Sequence, residues 1–298
     1  MFIWLLKFNP SKCKVLHINL NNNPNLDYYI DGIKIAQSDQ EKDLGVITSN
    51  SLLWIEQIKA SIRKANKMIC WIARNLVLRD RNVMIAIYKA LIRPHLEYCV
   101  QLWNPIAEHG NWSLVLELEG VQRRFTRLID EVGTLPYSQR LEILKLTTLA
   151  ERRNRGDLIE AFKAIKEISN LGNIFNISRS GLNLVSNPRV SKGNSKVKNL
   201  SRRFLSERVI SFWNKLPLSV KISDTVNSFK VSLENFKKAN LDNDVLGHFW
   251  EVSYEVLSKI EGPNYLANKV KHNEYLWFNP QVAKKRFINL YTTGLYDF

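Results

Sequence analysis

Lys59, Arg63 and Lys67 recur at steps of four, and Arg74 follows seven residues later. At roughly 100° per residue, that spacing gathers all four within about one quadrant of a helix. A file of ammonium and guanidinium groups on one face has one obvious chemistry, which is pairing with a row of phosphates. Arg123, Arg124 and Arg127 repeat the arrangement further along, and Arg93 lies between the two groups. A basic helix face is usually just solvated. Two such faces in a chain with net charge +15 and a pI near 9.7 shift the balance toward a polyanionic partner.

Other chemistries find less support. Tyr28-Tyr29-Ile30-Asp31 looks superficially like the Tyr-x-Asp-Asp turn of polymerases, but Gly32 follows where a second carboxylate is needed. Two-metal chemistry needs adjacent carboxylates to hold ions about 3.5–4 Å apart. His17, His95, His109, His248 and His272 are scattered through different stretches, so a hydrolase or nuclease site is not written here. Cys13, Cys70 and Cys99 form no CxxC pair, which excludes a zinc ribbon or knuckle. Cys70 and Cys99 lie in apolar helical context and read as reduced core thiols of an intracellular protein. No stretch reaches the roughly 20 apolar residues of a membrane span. The apolar start, Met1 to Leu6, is too short for a signal peptide and reads as the middle of a domain.

The elements that must position the cations follow from periodicity. Ile58, Ile62, Ala65, Ile69, Ile72 and Leu76 alternate steps of four and three, the seam of an amphipathic helix. Asp80 is placed to cap the next helix, Arg81 to Ile92, which Pro94 should break or kink. Leu114, Leu118, Val121, Phe125 and Leu128 form a second seam opposite the arginines. Before these helices, Lys14 to Ile18 and Lys42 to Thr48 each read as one strand. Asp31-Gly32 reads as a type I′ hairpin turn. After them, Tyr137 to Leu149 and Leu149 to Ser169 read as helices, with Arg152, Arg153 and Arg155 early in the second. Leu200 to Leu216 reads as one helix, with Arg202, Arg203 and Arg208 largely outside its apolar set. Ser223 or Asp224 should cap another, Thr225 to Lys238. The tail is rich in aromatics, which at a chain terminus more often dock on a core than stack bases.

The expected fold is therefore mainly α: a small N-terminal β-hairpin element, a basic helical bundle and further C-terminal helices. The expected divisions are a β-element over 1–50, the basic bundle over 51–132 and connecting helices over 133–170. A flexible polar linker over 171–199, a helical pair over 200–240 and an aromatic-rich tail over 241–298 complete the chain.

Several phrases, in order, carry a resemblance. They are Phe8-Asn9-Pro10-Ser11-Lys12-Cys13, Lys42-Asp43-Leu44-Gly45-Val46, and Lys64-Ala65-Asn66-Lys67. Then come Tyr88-Lys89-Ala90-Leu91-Ile92-Arg93-Pro94-His95-Leu96-Glu97-Tyr98, Trp103-Asn104-Pro105 and Val121-Gln122-Arg123-Arg124-Phe125. Glu151-Arg152-Arg153, Arg155-Gly156-Asp157-Leu158 and Trp213-Asn214-Lys215-Leu216-Pro217 continue the series. Over residues 8 to 238 this order resembles the region after the palm in reverse transcriptases of jockey-like non-LTR retrotransposons, the LINE class. The resemblance implies a post-palm β-element, a thumb-like bundle and downstream helices, from a truncated RNA-directed DNA polymerase. The catalytic aspartates and their Mg²⁺ would belong to the missing palm, so no catalytic residue, metal ligand or cofactor is assigned to this chain. It implies RNA or an RNA–DNA hybrid as partner, contacted through Lys59, Arg63, Lys67, Arg74, Arg93, Arg123, Arg124 and Arg127. A palm-bearing polymerase polypeptide is a second implied partner, and nucleus or cytoplasm the implied location. The rival reading is a non-functional relic or structural scaffold of a retrotransposon reading frame.

Overall fold

A computed structural model describes residues 7–18, 26–105, 112–178, 180–188, 200–239, 256–257 and 259–261. The fold is mainly α, with short strands first and helices after. Strand β1 (Lys14–Leu16) pairs in parallel with β4 (Ala36–Ser38). Between them β2 (Tyr29–Ile30) and β3 (Ile33–Lys34) form a hairpin. Its turn residues, Asp31 and Gly32, both have positive φ (50° and 77°), as a type I′ turn requires.

The stretch read as one strand, Lys42 to Thr48, is instead folded back on itself. Strands β5 (Gln40–Asp43) and β6 (Val46–Ser49) pair antiparallel around Leu44 (φ 44°) and Gly45 (φ 89°). The turn lacks the usual Asn or Asp because a distant side chain holds it. The Tyr98 hydroxyl donates to the Leu44 carbonyl at 2.7 Å, and its ring lies 3.4 Å from where a Cβ on Gly45 would stand.

Helix α1 (Ile55–Asn75) buries Ile58, Ile62, Ala65, Ile69 and Ile72, the seam expected from the spacing. Gln57 ties it to β6, its Oε1 accepting from the Ile47 amide at 2.9 Å. Asp80 caps α2 (Arg81–Ile87), accepting from the Asn82 and Val83 amides. Pro94 does not end that helix. The chain passes through a π-helical turn, Tyr88–Ile92, into α3 (Arg93–Glu97), with Pro94 in the first turn of α3. A widened turn is one way a helix absorbs a proline's missing donor and bulk. Then come α4 (Val100–Trp103), α5 (Trp112–Thr126), α6 (Tyr137–Ile143) and α7 (Leu149–Ile165).

Two large apolar clusters and a small third one result among the described residues. The first joins α1 to α5, with Ile58, Tyr88, Leu96, Trp103, Leu118 and Phe125 at its centre. The second lies between α7 and the downstream helices, where Phe162 and Phe229 stack at 4.3 Å between ring centroids. Helix α7 belongs to both: Leu149 packs in the first cluster, Leu158, Ala161 and Phe162 in the second.

The segment read as a flexible linker, 171–199, contains a hairpin among its described residues. β7 (Asn176–Ile177) and β8 (Leu184–Val185) pair antiparallel, and Phe175 and Leu184 are buried in the second cluster. Asn214 holds this hairpin, its side chain bonding both the amide and the carbonyl of Leu184 at 2.9 Å. Composition hid these anchors, which lie 30 residues away. Of the linker's cations, Arg179, Arg189, Lys192, Lys196 and Lys198 lie outside the described residues.

The stretch from Leu200 to Leu216 is not one helix: it is helical at Leu200 and Ser201, and after a break come two short helices, α8 (Leu205–Arg208) and α9 (Ile210–Lys215). A further turn, α10 (Leu218–Lys221), follows Pro217, and α11 (Val226–Ala239) ends this region. Its cap is Thr225 rather than Ser223 or Asp224: Thr225 Oγ1 accepts from the Ser228 amide, and Ser228 Oγ accepts in return from the Thr225 amide. Most of the aromatic tail lies outside the described residues. Its described part docks on the bundle, with Val256 buried against Val115 and Ala150, and Glu261 accepting from the Ser138 amide.

Arg208 corrects a further expectation. It lies inside, not on the outer face. Its Nε and one Nη each donate to a different Asp157 oxygen at 2.7 Å, and both side chains are almost fully buried. The remaining guanidinium bonds go to the Arg203 and Gln101 carbonyls at 2.7 Å. Asp157 also accepts from Asn104 Nδ2 at 2.9 Å. One ion pair thus joins α4, α7 and α8 and bridges the two clusters. Removing one partner strands the other's charge in the interior. Asp157→Ala or Arg208→Ala should each cost about 3–5 kcal/mol in urea denaturation, while an apolar pair at both positions should cost far less than the sum. Losses within about 0.5 kcal/mol for either single change would contradict the bridge.

Candidate nucleic-acid interface

Helix α1 carries the basic ridge. With its apolar seam inward, Lys59, Arg63, Lys67 and Arg74 are all exposed. None makes a salt bridge among the described residues. Arg74 is held close to the helix by its Nε donating to the Cys70 carbonyl at 3.2 Å.

Helix α5 packs beside α1 and brings a second set of cations to it. Arg124 is exposed, and its Nη2 donates to Asn66 Oδ1 on α1 at 2.9 Å. Asn66 lies one turn from Arg63 on α1. Arg124 therefore extends the ridge across two helices. Arg127, one turn on, is also exposed. Gly133 lies against the backbone there: a Cβ on it would stand 2.5 Å from the Arg127 carbonyl oxygen.

Two expected members do not join. Arg93 is half-buried and 3.7 Å from Glu97, a carboxylate that Arg152 also engages at 2.5 and 3.2 Å. This i,i+4 pair directs Arg93 toward the protein rather than a ligand. Arg123 is half-buried, and its Nε is buried without a hydrogen-bond partner among the described residues. It sits with Arg127 near Arg140, a guanidinium that sequence reasoning placed only in a helix. Burial, then the charges of Arg127 and Arg123, hold Arg140 below the usual arginine range. Its Nη1 donates to the Arg123 carbonyl at 2.9 Å and to Thr126 Oγ1 at 2.8 Å, tying α6 to the end of α5.

The inward face of α5 fixes where the outward face points. Glu119 is fully buried and accepts from the Tyr137 hydroxyl at 2.5 Å and from the Leu149 amide at 2.9 Å, at the start of α7. Gln122 accepts from the Tyr88 hydroxyl at 2.5 Å and donates to Tyr137 and the Thr147 carbonyl. Rotating α5 would break all of these bonds. Arg153 lies beside them, buried, its Nε donating to Asn104 Oδ1 at 2.9 Å. The charges of Glu119 and Asp157 work against the burial that holds its guanidinium below the usual range.

The Asp31 turn carries no adjacent pair of carboxylates. Gly32 follows Asp31, and the other carboxylate of that hairpin, Asp27, is engaged by Lys34 at 2.7 Å. The turn therefore does not fit a two-metal site. The core-thiol expectation fails for Cys70, which is exposed, whereas Cys99 is half-buried and packs against the first cluster. Among the described residues no helix is long and apolar enough to cross a membrane. No protein-family model, curated protein or solved structure matches the chain.

Burial raises the Glu119 carboxyl above its ordinary value, against the opposing pull of the Tyr137 hydroxyl, Arg153 and the Leu149 and Ala150 amides. A carboxyl raised on folding contributes stability that is full below its unfolded pKa of about 4.3 and lost as pH rises through the folded value. The unfolding free energy of the wild type, relative to Glu119→Gln, should therefore fall as pH rises from about 4 toward neutrality. A pH-independent difference, or one that grows with pH, would contradict this.

Proposed function

We propose that this chain binds nucleic-acid backbone as the post-palm, thumb-like part of a LINE-class retrotransposon reverse transcriptase. In this reading it grips an RNA–DNA template–primer and does not itself polymerise. One observation carries the proposal. Lys59, Arg63, Lys67 and Arg74 form an exposed ridge on α1, and Arg124 is docked beside it through Asn66. Backbone contacts of this kind position a duplex and carry little sequence information. Exposed cations without an ion pair among the described residues suit that task, because none must first be freed from a carboxylate there.

The palm-bearing partner has support of a different kind. Phe8, Leu26, Tyr28, Tyr29 and Ile33 are all exposed on the β-element. The parallel pair β1–β4 is two-stranded, whereas parallel strands are ordinarily covered on both faces. A polypeptide docked there would cover both features. The catalytic carboxylates and their metal ions would come from that polypeptide. Nucleus or cytoplasm is the location that this family assignment implies.

The test is a titration of the purified chain with an RNA–DNA hybrid at two salt concentrations. About five phosphate contacts, one per cation of the ridge, should lose roughly 500-fold in affinity between 50 and 200 mM salt, since each contributes about 0.9 to the slope. Reversing Arg63, Lys67 and Arg124 to Glu should abolish binding at the lower salt. Affinity that ignores salt, or survives the reversal, would defeat the proposal and leave the charge as that of a relic.

A further inference from the structure

Trp71 lies on the outer side of α1 and is 55% exposed. Among the described tryptophans, Trp54, Trp103 and Trp213 are buried and Trp112 is half-buried. Trp71 is thus a large aromatic that the core had no use for. Neither another ring nor a cation covers it among the described residues. Its backbone is fixed, because α1 continues past it to Asn75, whose side chain donates to the Trp71 carbonyl at 2.7 Å.

Its neighbours are cations. Lys64 and Lys67 lie two turns and one turn before it on the same side of the helix, and Arg74 one turn after. All three are exposed. The acidic residue of α1, Glu56, stands about 22 Å away along the axis. A rigid, uncovered indole between cations is the arrangement that binds unpaired nucleic acid: the ring stacks on a base while the cations take the flanking phosphates.

We infer that Trp71 is a stacking platform for an unpaired base of single-stranded RNA or DNA, with Lys64, Lys67 and Arg74 on the adjoining phosphates. The inference rests on the nucleic-acid reading above and adds a ligand class to it. A base inside a duplex has no free face to offer an indole, so this end of α1 takes a single-stranded segment. Val77 and Leu78 are also exposed just beyond the helix. They offer a protein partner an apolar surface, but the cations around Trp71 match phosphate rather than an apolar face.

The experiment compares the full chain with Trp71→Ala and Trp71→Phe against three probes: an oligo-adenylate RNA, the hybrid duplex and heparin. Trp71→Ala should weaken oligo-adenylate binding about 10-fold, the scale of one stacked base, while heparin affinity stays within about twofold. Trp71→Phe, which keeps a stacking face, should recover most of the loss. Equal effects of Trp71→Ala on oligo-adenylate and heparin, or none on either, would overturn the platform while leaving the ridge standing. Concentration-dependent self-association of the wild type that Trp71→Ala abolishes, with RNA binding unchanged, would overturn it in favour of a protein interface. If the wild type bound none of the three probes, both the platform and the underlying reading would fall.

Discussion

Charges buried far from water must meet their partners inside the protein, and this structure is arranged around that requirement. Asp157 and Arg208 satisfy each other through two hydrogen bonds in a nearly dry interior. Such pairs often add little net stability over well-packed apolar residues, but they tolerate almost no displacement. Helix α7 bears the constraint along its length. Glu119 receives its first backbone amide, Glu151 is paired with Lys237 of α11, and Asp157 holds both Asn104 and Arg208. Two apolar clusters that could otherwise slide are thereby set in one register.

The basic surface inherits that rigidity. Helix α5 is keyed from inside by Glu119 and Gln122, so Arg124 on its outer side meets Asn66 of α1. The surface is thus a consequence of interior bonding as much as of the number of cations. It also explains why only some arginines serve it. Arg93, Arg153 and Arg208 belong to the interior arrangement, each beside or bonded to a carboxylate or its relay. A net charge of +15 does not distribute itself evenly.

Local signals were legible in the sequence and distant ones were not. The α1 and α5 seams, the Asp80 cap and the Asp31-Gly32 turn depend on residues within a few positions of one another, and each stands where its spacing implied. The Leu44-Gly45 turn did not show, because Tyr98, 54 residues away in sequence, completes it. Asp157–Arg208 spans 51 residues, and the anchors of the β7–β8 hairpin span 30. An arginine on the polar flank of a helix looks the same whether it meets water or a buried aspartate. Arg93 was the exception, since Glu97 four residues on is a local signal that could have been read.

In the function proposed here, one face, built from α1 and the end of α5, receives the nucleic acid. Photocrosslinking of a hybrid carrying photoreactive uridines, with the attached peptides mapped by mass spectrometry, tests it most directly. Adducts should concentrate between residues 59 and 74 and at Arg124 and Arg127. Adducts centred on cations elsewhere, such as Lys166 or Arg202, both exposed and away from this face in sequence, would contradict it.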